Sequence, residues 1–174
     1  MQIGFVGLGK MGGNMVERLL RDKHEIVIFN RTADKVQEYA AKGATPSSSL
    51  ADLVSKLKGR KEVWLMVPSG EPVDQNIRDL TPLLSKGDII IDGGNSYYKD
   101  TVRRSAELKA KGIHCVDSGT SGGILGLKNG YCLMIGGEKE PVDWLAPVFT
   151  TLAPPNGWLH CGASGSGHLV KMIH

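Results

Sequence analysis

The residues best suited to chemistry lie near the two ends of the chain. Near the start, "GLGKMG" sets glycines at Gly7, Gly9 and Gly12, with Leu8, Lys10 and Met11 between them. The loop leaves a strand-like run, "IGFV", and opens an amphipathic helix. In that setting Gly7 permits a tight turn, Gly9 lets a pyrophosphate approach the backbone, and Gly12 lets the helix pack on the strand. The free N–H groups of the helix then face the anion. Glycines at this spacing are a weak signal in a chain that has 23 of them. Their place between strand and helix makes dinucleotide binding the expectation. Near the other end, "GHLVKMIH" puts His168, Lys171 and His174 on one helix face at i, i+3 and i+6. A lysine flanked by apolar helix residues and desolvated beside a substrate can serve as a base. Most helical lysines are solvated surface charges, so the spacing alone does not assign that role.

The end of the second strand bears on the cofactor. An NAD-binding unit usually carries Asp or Glu about 20 residues past the loop, to hold the ribose hydroxyls. Here "EIVIF" runs into Asn30, Arg31 and Thr32, with no carboxylate at the tip. A carboxylate would repel a 2′-phosphate, whereas Arg31 can cover it with a planar guanidinium and Thr32 adds a hydroxyl. NADP is expected, with NAD as the alternative.

Two polar stretches, "DGGNS" (92–96) and "DSGTSGG" (117–123), read as glycine turns at strand ends. Ligands of open parallel sheets bind outside the carboxyl ends of the strands. Asn95, Ser96 and Ser121 would orient such a ligand, beside backbone N–H groups exposed by the glycines. Ordinary turn chemistry accounts for either stretch alone; the pair beside a nucleotide loop points to function.

The elements that must position these residues alternate. "EIVIF", "EVWLMV", "GDIIID", "IHCVD", "YCLMIG" and "WLHC" read as further strands. Helical periodicity falls at Met11 to Leu20, from Thr32 to Gly43, from the serines Ser47–Ser49 to Leu57, from Tyr97 to Lys111, and from Pro141 to Leu152. The alternation predicts a doubly wound, mostly parallel Rossmann-type α/β sheet with helices on both faces, as one domain. The net charge of +3 is dispersed along the 174 residues, and no apolar run approaches the ~18 residues of a membrane span. No nucleic-acid or membrane partner is expected. Cys115, Cys132 and Cys161 read as buried, reduced thiols, neither a disulfide framework nor a metal site, in a cytoplasmic protein.

Together, "IGFVGLGKMGGNM", "FNRT", "LMVPSG", "IDGGNS", "DSGTSGG", "GYCLMIGG" and "GHLVKMIH" resemble the decarboxylating 6-phosphogluconate dehydrogenases, within the wider group of 3-hydroxyacid dehydrogenases. The resemblance covers essentially all 174 residues, and the compact "TSGGILGLKNGYCLMIGG" looks like the shorter bacterial members. It implies oxidation of 6-phosphogluconate at C3 and loss of carbon dioxide to give ribulose 5-phosphate, a step of the pentose phosphate pathway, without a metal. Lys171 matches the family's general base. Asn95, Ser121, Gly122, Gly123 and His174 match substrate-contacting positions. Asn30, Arg31 and Thr32 match the site of the 2′-phosphate in NADP-using members, while Gly7 to Gly12, Met66, Val67, Pro68 and Asn95 match the rest of the cofactor site.

Short bacterial members often carry an acidic residue where Asn30 stands and tend to use NAD, so Asn30 favours NADP against that habit. In the family an Asn follows the position of His174, then a Glu that protonates the enediol, then a helical domain that builds a dimer. The resemblance therefore implies that residues 1–174 are the cofactor-binding domain and that the tail begins an interdomain helix. A homodimer or higher assembly is expected for the full-length enzyme, and a monomer with little or no activity for this chain alone. Two other readings stay open: a related dehydrogenase acting on an unphosphorylated acid such as hydroxyisobutyrate, and a non-enzymatic dinucleotide-binding module.

Overall fold

Ile3 and Phe5 face one side of the first strand, Gly4 and Val6 the other, and all four are buried. A strand buried on both faces needs cover on both. The computed structural model, which describes residues 1–174, provides it with helices on either side of an eight-stranded sheet. The first half of the chain runs β1 (Gln2–Val6), α1 (Lys10–Arg21), β2 (Glu25–Phe29), α2 (Ala33–Ala40), β3 (Thr45–Pro46), α3 (Leu50–Ser55), β4 (Glu62–Leu65) and α4 (Glu71–Leu80). It continues through β5 (Ile89–Asp92), α5 (Tyr98–Lys109), β6 (His114–Ser121), α6 (Gly126–Asn129), β7 (Cys132–Gly136), α7 (Lys139–Trp144), α8 (Ala146–Leu152), β8 (Trp158–Gly162) and α9 (Ser166–Ile173). No helix is long and apolar enough to cross a membrane.

The strands lie in the order β3-β2-β1-β4-β5-β6-β7-β8. All neighbouring pairs are parallel except β6 with β7. This is the expected doubly wound, mostly parallel fold. Chain order reverses between β1 and β4, and a crevice opens there beyond their carboxyl ends.

Side-chain alternation divides the interior into two cores. On one face Ile3, Phe5, Ile26, Ile28, Trp64, Ile89 and Ile91 pack with Met15, Val16 and Leu19 of α1 and with Val148, Phe149 and Leu152 of α8. Trp64 lies parallel to Phe5, with centroids 6.1 Å apart, and meets Phe149 edge-on at 6.2 Å. On the other face Val6, Val27, Val63, Leu65 and Ile90 pack with Leu53, Val73, Ile77, Leu80 and Leu108 from α3, α4 and α5. Burying each such side chain contributes about 1.5–3 kcal/mol.

Four features differ from the sequence expectation. "DSGTS" is not a turn: β6 runs on through Ser121, and the turn starts at Gly122. Antiparallel pairing of Asp117–Ser121 with β7 overrides the turn-like composition. The helix expected over Pro141–Leu152 is two helices, because Pro147 has no N–H to continue the ladder and its ring crowds the preceding turn. The alternation read from the sequence also lacks β3, α4 and α6. Finally, of the three free cysteines only Cys115 is buried; Cys132 is exposed and Cys161 intermediate.

The docking of α7 depends on a buried carboxylate. Glu62, 3% exposed at the start of β4, accepts a hydrogen bond from Trp144 Nε1. The Arg60 guanidinium lies 5.1 Å from the centroid of the Trp144 ring and makes a two-pronged pair with Glu140 at 2.6 and 2.7 Å. Burial pushes the Glu62 carboxyl up from its ordinary range, against the opposing pull of Trp144 and Arg60. The fold therefore favours protonated Glu62, and the native state loses stability as pH rises from about 4.3 past the raised value. Glu62→Gln keeps the acceptor and removes the charge. It is expected to raise the Tm at pH 7 by about 2–4 °C, with the gain vanishing towards pH 4. A lower Tm at pH 7 in thermal melts would mean that the attraction of Arg60 outweighs burial.

Candidate functional site

The glycine loop closes on three backbone contacts. Gly7 has φ 101° and donates from its N–H to Phe29 O at 3.0 Å. A methyl group at Gly7 would overlap the carbonyl of Met66, and one at Gly12 would overlap the carbonyl of Gly7. At Gly9, by contrast, a methyl group would meet nothing within 4 Å. Two glycines thus lock the loop onto β4 and α1, and the one between them faces open space. Gly9 caps α1 with no side-chain hydrogen bond, and the first turn of α1 carries no acidic residue. The amides of that turn have no partner within the helix, so the loop suits the pyrophosphate of a dinucleotide.

Leu8 and Asn30 serve the loop from within. The Leu8 side chain is buried, and its N–H donates to Asn30 Oδ1 at 3.0 Å. Asn30 Nδ2 donates to Thr32 Oγ1 at 2.9 Å. The Asn30 amide therefore ties the glycine loop to the end of β2, and Arg31 and Thr32 project beyond it, exposed. Lys10 is exposed and Met11 half-buried at the loop's rim; Met66 and Val67 are half-buried and Pro68 exposed after β4. Beside them runs a groove of about 910 Å³ lined at the end of β2 by Phe29 and Arg31. Ser48–Ala51 form one wall and the α4 residues Glu71, Gln75 and Arg78 the other.

A second cavity, of about 400 Å³, lies at the carboxyl end of β5. It is lined by Ser69, Asn95, Ser96, Tyr97, His168, Lys171 and Met172. The "DGGNS" turn is folded around Asp92, whose carboxylate accepts from Gly94 N at 3.2 Å and Ser96 Oγ at 2.6 Å. Ser96 is thereby spent internally, and Asn95 is left exposed at the cavity. Behind Asp92 sits Arg104, 1% exposed. It donates to Asp74 at 2.9 and 3.2 Å and to Gly70 O at 3.2 Å, and its Nη1 lies 3.7 Å from Asp92 Oδ2. Burial pushes the Asp92 carboxyl up, opposed by His168, Ser96 and Arg104. The hydrogen bond from Arg104 holds Asp74 below the usual carboxylate range.

Lys171 arrives on α9, which lies against β6 and β7 backbone to backbone. A methyl group at Gly167 would overlap Met134 O, and one at Gly119 would stand 2.5 Å from Lys171 Cβ. The helix start is held by Asp117, whose two oxygens accept from Gly165 N at 2.8 Å and His168 N at 2.9 Å. His168 is buried, with Nδ1 2.7 Å from Thr101 Oγ1 on α5 and Nε2 unpartnered.

The structure thus gathers Asn95 and Lys171 around one cavity. Ser121, Gly122, Gly123 and His174 are not on its wall, although Ser121 leaves β6 on the same side as Gly119, beneath Lys171. Sequence reasoning missed Asp117 as the anchor of α9 and Arg104 as the support of the Asn95 turn. A carboxylate inside a strand and an arginine on the inner face of a helix were the signals available.

Residues 2–163 match a family described as the NAD binding domain of 6-phosphogluconate dehydrogenase. Over 175 residues the chain is 46% identical to an NAD(+)-dependent, decarboxylating 6-phosphogluconate dehydrogenase of Haloferax volcanii, covering 100% of this chain and 58% of that protein. It is 44% identical to the decarboxylating 6-phosphogluconate dehydrogenase of Rattus norvegicus, covering 99% of this chain and 38% of the relative. The structure of the Plasmodium falciparum 6-phosphogluconate dehydrogenase, described with NADP+ and with 6-phosphogluconate, superimposes with a TM-score of 0.92 at 30% identity. That match covers 100% of this chain and 39% of the Plasmodium one.

The Asp117 anchor can be tested without any ligand. Asp117→Ala strands two buried N–H donors and is expected to cost on the order of 2–4 kcal/mol in urea unfolding. Amide exchange along α9 should quicken with it. Asp117→Asn keeps one acceptor and should lose less. Unchanged exchange in α9 would show that the glycine contacts alone hold the helix.

Proposed function

The chain belongs to the family of the 6-phosphogluconate dehydrogenase NAD-binding domain, and from that premise we propose that it binds NADP, with NAD as the alternative, and serves the oxidative decarboxylation of 6-phosphogluconate to ribulose 5-phosphate. Residues 1–174 act in this reading as the cofactor-binding unit of the enzyme. The observation that carries it is the glycine loop: Gly7 and Gly12 admit no side chain, and Gly9 faces open space at an uncapped helix start. The amides of α1 hold the pyrophosphate, and Arg31 and Thr32 face the adenosine end.

A dinucleotide held by the glycine loop and by Arg31 and Thr32 would supply the hydride acceptor for C3 of the substrate. Lys171 takes the proton of the C3 hydroxyl and then returns a proton towards the C3 oxygen. The 3-keto acid so formed loses carbon dioxide as its polarised carbonyl draws in the electron pair of the breaking bond. The enediol left behind becomes ribulose 5-phosphate when a proton adds to the carbon that bore the carboxylate. Asn95, held out by the Asp92 turn, orients substrate and cofactor across the cavity. Ser121, Gly122, Gly123 and His174 contact the substrate from the end of β6 and from α9. Lys171 is the residue most exposed to misplacement, because its position follows from α9, which Asp117 fixes.

Calorimetric titration with NADP+ and NAD+ is the test, on the unsubstituted chain and on Gly9→Ala. The added methyl meets no protein atom, so the variant is expected to fold with an unchanged Tm. It should bind either dinucleotide at least about tenfold more weakly, a loss of about 1.4 kcal/mol. Arg31→Asp should weaken NADP+ far more than NAD+. Unaltered binding by Gly9→Ala would remove the glycine loop from the site.

A further inference from the structure

The groove beside β2 holds more charge than Arg31 alone. Glu71, Gln75 and Arg78 follow one another at i, i+4 and i+7 down the face of α4 that lines it. Arg78 pairs with Glu71 and donates to Gln75 Oε1 at 2.9 Å, and Asp79 accepts from Gln75 Nε2 at 3.0 Å. Arg31, which also lines the groove, makes no ion pair. The side chains of Arg78 and Glu71 are 55% and 71% exposed. An ion pair so exposed adds little to stability, so the guanidinium can leave its carboxylate at small cost. A phosphate monoester carries about −1.5 to −2 charges at pH 7 and three strong acceptor oxygens. Against a singly charged carboxylate it is the better partner, and a guanidinium can grip it with two parallel hydrogen bonds.

We propose that Arg78 is a specificity-determining residue for a dinucleotide bearing a 2′-phosphate, acting with Arg31 in one groove, and that Glu71 occupies Arg78 until that phosphate arrives. The inference rests on the dinucleotide reading given above. It assigns opposite roles to two residues of one helix. Arg78 attracts the phosphate, while Glu71 competes for the guanidinium and repels the incoming anion. A dinucleotide with free ribose hydroxyls leaves the Glu71–Arg78 pair as it is.

The experiment is calorimetric titration of NADP+ and NAD+ into the unsubstituted chain, Arg78→Gln and Glu71→Gln, with Tm values to show that both exposed substitutions fold. Arg78→Gln is expected to weaken NADP+ about tenfold, the value of one charge-assisted contact, and to leave NAD+ within about twofold. Glu71→Gln is expected to tighten NADP+ a few-fold with NAD+ unchanged. The assignment is overturned if Arg78→Gln leaves NADP+ binding intact, if it weakens both dinucleotides equally, or if the unsubstituted chain holds NADP+ no tighter than NAD+. Failure of the unsubstituted chain to bind either dinucleotide would overturn the proposed cofactor site itself, and this inference with it.

Discussion

The Asp117 carboxylate, buried in the middle of β6, holds the cleft together. Its two oxygens take the N–H groups of Gly165 and His168, which a helix start would otherwise leave unpaired in the interior. A carboxylate removed from water is costly unless it is fully hydrogen-bonded, so the anchor and the helix need one another. The close glycine contacts of α9 with β6 and β7 are usable only because this end of the helix is fixed. The position of Lys171 over Gly119 follows.

The same solution, a buried charge satisfied by backbone or by an opposite charge, recurs on the other side of the cavity. Asp92 gathers the amide of Gly94 and the hydroxyl of Ser96, and Arg104 joins that turn to Asp74 and the carbonyl of Gly70 on the neighbouring loop. Neither residue presents its polar atoms to the cavity. Each fixes a backbone segment that carries a residue which does, Asn95 from the turn and Ser69 from the loop before α4. The two polar frameworks meet behind the cavity, where His168 of α9 lies 2.7 Å from Thr101 of α5.

The elements legible in the sequence were those whose periodicity reports burial directly. "EIVIF" and "GDIIID" are apolar at every central position because both sheet faces are covered. Gly7, Gly9 and Gly12 were legible because their spacing between a strand and a helix has a steric meaning. The strand nature of "DSGTS" was hidden, since local composition says turn and only the pairing with β7 says otherwise. Asn30 was legible as a polar residue in the right place, but its use inside the protein, holding Leu8 N–H, depends on how the glycine loop curls. Asp117 and Arg104 act through partners 48 and 30 residues away, separations at which no local pattern carries information.

The reversed strand β7 has an electrical consequence. Because β6 and β7 are antiparallel, the chain returns to the far end of the sheet, and α9 must climb back beside β6 to reach the cavity. The crossover helices that follow the strands before β7 start at the carboxyl edge of the sheet, as α1 does at Gly9, and offer amide hydrogens there. α9 arrives with its carbonyl end instead, and Lys171 rides on its last turn. α1 and α9 therefore turn opposite poles towards the carboxyl edge of the sheet: positive where a pyrophosphate would rest, negative beside Lys171. The one reversal of direction after β6 thus gives the carboxyl edge of the sheet a built-in field, directed from the glycine loop towards Lys171.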